Sequence, residues 1–130
     1  MNKNIPGMLI NPMEGFAAPV TMEDSLSSFY SALDCSCIDI ADRTIGRSKK
    51  RFSIVCDDEG LLKDDFHISA ISAQFEPMLV GSLFVVSCDY KSGELESLSE
   101  QDLEYVLDHV YFAVTSNHPN PTPILCQVGY

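Results

Sequence analysis

Asp57, Asp58 and Glu59 stand side by side between two apolar runs, in the stretch SIVCDDEGLL from Ser53 to Leu62. Adjacent carboxylates can hold a hard cation, trade protons, or only turn a chain. Calcium takes about 6–8 oxygen ligands, and calcium loops place their acids at alternate positions ahead of a glycine. Here the acids are consecutive, so their side chains diverge. Asp64 and Asp65 add charge nearby without completing that spacing. The stretch therefore reads as a strand end and a polar turn, with Gly60 taking a positive φ. Zinc fares no better. Cys35-Ser36-Cys37 is one residue short of a C-x2-C knuckle, no second pair exists, and His67, His109 and His118 are scattered. Cys56 lies in an apolar run and reads as an inert thiol. There is no nucleophile elbow, phosphate loop or dinucleotide fingerprint. The expectation is no catalytic residue set, no metal and no cofactor. A hydrolase built on Cys56 or on the acid cluster ranks last among the functions considered.

Charge is the stronger signal. Nineteen acids face eight bases, a net charge of −11. Five of the bases, Arg43, Arg47, Lys49, Lys50 and Arg51, fall within nine residues that hold no acid. The remainder keeps three bases and nineteen acids, which is −16. Such a surface repels nucleic acid and anionic membranes by the sign of its field, and can imitate nucleic acid toward a partner that binds it. The basic run has two readings: phosphate contact, or a solvated tip that pairs with the protein's own acids. The second is favoured, because nucleic-acid-binding domains are usually basic overall.

These residues need elements to position them. A chain of 130 residues with 45% hydrophobic residues fits one domain with its own core. No apolar run approaches the roughly 18 residues that span a bilayer. The start of the chain has no secretory pattern, and five irregularly spaced cysteines read as free thiols in a reducing cytosol. Thr21 and the acids after it mark a helix start. Leu26, Phe29, Tyr30 and Leu33 then form one helical face. Ser99 caps a second helix, with Leu98 and Leu103 at staple spacing. Leu103, Val106, Leu107, Val110 and Val114 form its apolar face; Glu100, Gln101, Glu104 and Asp108 form the other. Strands are expected near Met8–Ile10 and Phe16–Val20, and over Cys37–Ile45 with Ile38 and Ile40 on one face. Another runs from Phe52 to Cys56, after a hairpin tip at IGRSKKR. LVGSLFVVSC, Leu79 to Cys88, reads as one central strand covered on both faces. NHPNPTP, residues 117–123, reads as a loop. The expectation is an α+β fold: a small mixed, mainly antiparallel sheet in the order β-β-α-β-β-β-α-β with two helices packed on it. Residues 1–116 form a single domain, and 117–130 a proline-rich loop plus a final strand or tail. If ILCQV lies at an edge, it can pair with a second copy.

Several of these stretches together carry a family resemblance. They are the first strand with Asn11-Pro12, SLSSFYSAL, SCIDI, FSIVCDDEGLL and MLVGSLFVV. Over about Met8 to Val86 the chain resembles the family catalogued as domain of unknown function 3846, whose members look like products of phages and conjugative elements. The resemblance carries no catalytic residue set. It implies a mobile-element protein in a bacterial cytoplasm. The expected function is a non-enzymatic, acidic protein-interaction module, in its narrower form a DNA mimic acting against a restriction or CRISPR enzyme. Asp57, Asp58, Glu59, Glu100, Glu104 and Asp108 are the candidate contact residues, and the partner is a host or element protein. The alternative is a nucleic-acid-binding accessory that uses the hairpin 43–51.

Overall fold

The computed structural model describes residues 3–62, 66–89, 91–115 and 118–130. It is an α+β fold of two sheets and two helices among those residues. Strands β1 (Asn4–Asn11) and β2 (Phe16–Glu23) form a hairpin in register over eight pairs. Helix α1 (Leu26–Leu33) follows. Strands β3 (Ile38–Ile45) and β4 (Arg51–Asp57) make the second hairpin. Next come β5 (Ile68–Ile71), β6 (Pro77–Val80), β7 (Leu83–Cys88) and β8 (Leu95–Glu96). Helix α2 (Glu100–Asp108) leads to β9 (Val110–Thr115), β10 (His118–Leu125) and β11 (Val128–Gly129). The larger sheet runs β11-β3-β4-β7-β1-β2, with β8 on the end of β7; the smaller runs β6-β5-β10-β9. All pairings are antiparallel except β10 with β5.

The larger sheet is apolar on both faces, which gives the molecule three layers. On one face Phe29 and Leu33 of α1 pack over Ile5, Leu9, Val55, Phe84 and Val86. Phe29 meets Phe84 at 6.1 Å between ring centres. On the other, Met8, Ile10, Ile54, Leu83 and Val85 pack against Val106 of α2 and Ala70 and Leu125 of the smaller sheet. Strand β4 is buried from Phe52 to Cys56 because its alternate side chains feed these two cores in turn.

Several local expectations change. Thr21 does not cap α1, because β2 continues to Glu23 in full register with β1. Ser25 is the cap, its Oγ accepting the Ser28 N–H at 3.2 Å. Leu26 then lies outside the core, 58% exposed. Ile38 and Ile40 share a face by parity, but the core under α1 reaches only Ile38, and Ile40 is exposed. The Leu79–Cys88 run is two strands. Gly81, at φ +77, breaks it, sending β6 into the smaller sheet and β7 into the larger. The proline-containing stretch from His118 is strand β10 instead of a loop. ILCQV is divided as well: Ile124 and Leu125 end β10, Gln127 takes a left-handed φ of 59°, and Val128 opens β11. Asp64 and Asp65 lie outside the described residues.

Candidate functional site

Helix α2 carries the first group of candidate residues. Ser99 Oγ accepts the Asp102 N–H at 3.1 Å, and Leu98 and Val106 are buried beneath the helix. The helix ends at Asp108, and the His109 N–H bonds Val106 O at 3.0 Å. The β-branched and aromatic run VYFAVT then favours a strand, so Val110 and Val114 belong to β9 and not to the helix face. Leu107, expected on the buried face, is exposed. Glu100, Gln101, Glu104 and Asp108 are exposed on the outer side. Glu100, Glu104 and Asp108 follow one another at four-residue spacing, a stripe about 12 Å long at 1.5 Å of rise per residue. Like charges at this spacing disfavour a helix, and Asp108 sits where the helix dipole is negative. No basic residue offsets it in the last turn.

The basic hairpin docks on this helix. Gly46 takes φ +64, and a Cβ there would lie 2.4 Å from His109 Nε2 and 2.7 Å from Tyr105 Oη. Tyr105 Oη donates to Ile45 O at 2.7 Å and accepts the Ser48 N–H at 3.2 Å. Lys50 forms an ion pair with Asp102 and lies 5.6 Å from the Phe52 ring centre. Arg43 lies over the Tyr130 ring at 4.6 Å. Arg47 and Lys49 are exposed at the tip, and Arg51 is exposed at the start of β4. The five bases therefore do not share one face.

The acidic turn lies at the other end of β4, about 20 Å away at 3.3 Å of rise per residue. Asp57 Oδ1 accepts the Glu59 N–H at 2.9 Å, and the Asp58 N–H donates to Cys37 O at 3.1 Å. This is turn chemistry of the Asx kind. Gly60, however, does not take a positive φ. It is small because a Cβ there would meet Val80 Cγ2 at 2.7 Å. Asp58 and Glu59 point outward and Asp57 is half-buried. An open groove of about 560 Å³ runs from this turn to β6, lined by Asp39, Cys56, Asp57, Asp58, Leu62 and Met78 among others. Burial, and next the Asp39 carboxylate, push the Cys56 thiol up to about 11. A thiol held protonated in this way is a poor nucleophile.

The structure thus separates the six candidate acids into two patches at opposite ends of one hairpin. It also shows a surface that the sequence reading missed. Phe75, Tyr111, Phe112 and Val114 are exposed on the smaller sheet. A groove of about 480 Å³ there is lined by Ile71, Phe75, Tyr111, Ala113 and Ile124 among others. The signal was the uncharged run VYFAVT, assigned to the helix by its first and fifth residues. Among the described residues, no helix is long and apolar enough to cross a membrane.

A family model described as Domain of unknown function (DUF3846) matches residues 5–111, from β1 into β9. No curated protein and no solved structure matches the chain.

Proposed function

This chain belongs to the family described as Domain of unknown function (DUF3846), and on that premise we propose that it is a non-enzymatic, acidic interaction module that docks on a basic surface of another protein. The observation that carries the reading is the stripe Glu100, Glu104, Asp108. Its like charges repel one another at four-residue spacing, Asp108 opposes the dipole at the C-terminal end while Glu100 in the first turn suits it, and its residues lie outside the core. Locally unfavourable residues that pack against nothing are expected where a surface serves binding. Asp57, Asp58 and Glu59 form a separate acidic patch for the same kind of partner.

In its fuller form the reading is a phage or mobile-element accessory protein acting in the bacterial cytoplasm, one that occupies the DNA-binding surface of a restriction or CRISPR enzyme. Supporting it is a net charge of −11 with the bases confined mainly to one hairpin. The spacing argues for the broader form first. Helix charges about 6 Å apart are sparser than phosphates at about 3.4 Å of rise along one DNA strand. The rival reading, nucleic acid held by the hairpin 43–51, is weakened where Lys50 pairs with Asp102 and Arg43 stacks on Tyr130.

An affinity pull-down from bacterial lysate, with and without nuclease, tests the proposal. Wild-type protein is expected to retain one stoichiometric protein after nuclease treatment. The double variant Glu104→Lys, Asp108→Lys is expected to lose it, with the difference largest at low salt. Capture that disappears with nuclease would transfer the function to the hairpin. Equal capture by the double variant would overturn the role of α2.

A further inference from the structure

Among the described residues, strand β9 is the unprotected margin of the two sheets. Folded proteins guard open strand edges with short length, charge or proline. The other margins follow that rule among the described residues. Strand β2 carries Pro19 and Glu23, β6 has four residues and begins at Pro77, and β8 and β11 have two residues each. Strand β9 has six residues, VYFAVT, without charge, proline or glycine, and among the described residues pairs with β10 alone. Tyr111, Phe112 and Val114 are 59%, 57% and 61% exposed, and Ala113 between them is exposed too. Such a run on a solvated surface is unfavourable unless it serves a contact.

The backbone on this margin has a definite polarity. Pro123 stands opposite Phe112. Proline has no N–H, so that pair cannot exchange two hydrogen bonds. Antiparallel alternation then puts the bonded pairs at Tyr111 with Ile124 and at Ala113 with Thr122. The bond from the Cys126 N–H to His109 O, at 2.8 Å, agrees with that phase. The N–H and C=O groups of Phe112 and Val114 therefore face away from β10.

Phe75 borders this margin on the face that carries Tyr111. It holds φ +65 at the tip of the β5–β6 connection and is 80% exposed. An aromatic residue in the left-handed region is strained. Ser72 fixes the turn: its N–H donates to Glu76 O, and its Oγ accepts the N–H groups of Gln74 and Glu76. Phe75 lines the same groove as Tyr111 and Ala113.

We infer that β9 pairs antiparallel with β9 of a second copy of this chain, about a two-fold axis at Phe112, joining the two smaller sheets into one. Self-pairing suits this strand for three reasons. By the same alternation the main-chain groups of Val110, Phe112 and Val114 point away from β10, so the two-fold operation brings N–H groups of one copy to C=O groups of the other. It also sets Val110 against Val114, Phe112 against its copy, and Tyr111 against Ala113, all uncharged pairs. No carboxylate of β9 faces a carboxylate, although each copy carries −11. Tyr111, Phe112 and Val114 together expose on the order of 300–350 Å² per copy, so the contact is a small one, carried by its main-chain bonds and formed at high concentration.

Sedimentation equilibrium of the purified full chain tests the inference. The expected mass is twice 14.4 kDa at high concentration. The dimer should strengthen as salt rises, because salt screens the repulsion between two acidic copies. Val114→Lys places a charge on the margin, and Phe112→Pro removes one outward N–H where an edge tolerates proline. Each is expected to weaken self-association about tenfold or more, with the circular dichroism spectrum unchanged. A wild-type monomer up to millimolar concentration in high salt would overturn the inference. So would a dimer indifferent to both substitutions. Neither result bears on the α2 surface, which uses a different element.

Discussion

At the scale of single residues, environment decides what each reactive group can do. Cys56 is buried among apolar neighbours, and its thiol is pushed up to about 11 by burial and by Asp39. At pH 8 its thiolate is therefore about a thousandth of the population, whereas an ordinary exposed cysteine near 8.5 is about one-quarter ionised. Alkylation followed by mass spectrometry is expected to modify exposed Cys37 well before Cys56, and Cys56 only on unfolding. Rapid modification of native Cys56 at neutral pH would contradict its assignment as a packed thiol. The same linkage has a sign. A thiol whose folded value exceeds its unfolded one stabilises the fold below about pH 8.5. That contribution is lost as pH rises from there toward 11.

At the scale of elements, close backbone approach sets the tightest constraint. Strand β1 lies between β2 and β7, and a Cβ on Gly7 would sit 2.6 Å from Val85 O. Backbone cannot yield as a flexible side chain can. Gly7→Ala is expected to destabilise the protein by about 1–3 kcal/mol, the usual range for overpacking, as read from the midpoint of urea unfolding. An unchanged midpoint would mean that the larger sheet is looser at its centre than these distances allow. Helix α2 shows the opposite case. Its inner side is fixed by the Ser99 cap, Val106 and Tyr105, and its outer acids can change without disturbing that packing.

At the scale of the whole molecule, charge and layers act together. A net −11 on 130 residues raises the energy of the compact state through self-repulsion. Raising sodium chloride from about 10 mM to about 0.3 M shrinks the Debye length from roughly 30 Å to well under 10 Å. The melting temperature is expected to rise over that range, as followed by circular dichroism. A fall would show that local pairs such as Lys50–Asp102 outweigh the global repulsion.

Whatever depends on neighbours in the chain was open to reading from the residues. The α+β class, the Ser99 cap, the hairpin tip at Gly46 and the strand Phe52–Cys56 were all legible from local chemistry and period, whereas the burial of that strand on both faces was not. So was the family, through its strand and turn segments. Tertiary structure decided the rest. Gly81 turned one apolar run into strands of two sheets, and the strand preference of VYFAVT prevailed over the helix spacing of Val110 and Val114 once β10 offered a partner. The candidate acids were readable one by one, but their separation into two patches depends on the length and path of β4. The open margin at β9 could not be read from composition. A strand becomes an edge only when every other strand has been placed, and that depends on contacts between residues far apart in the chain.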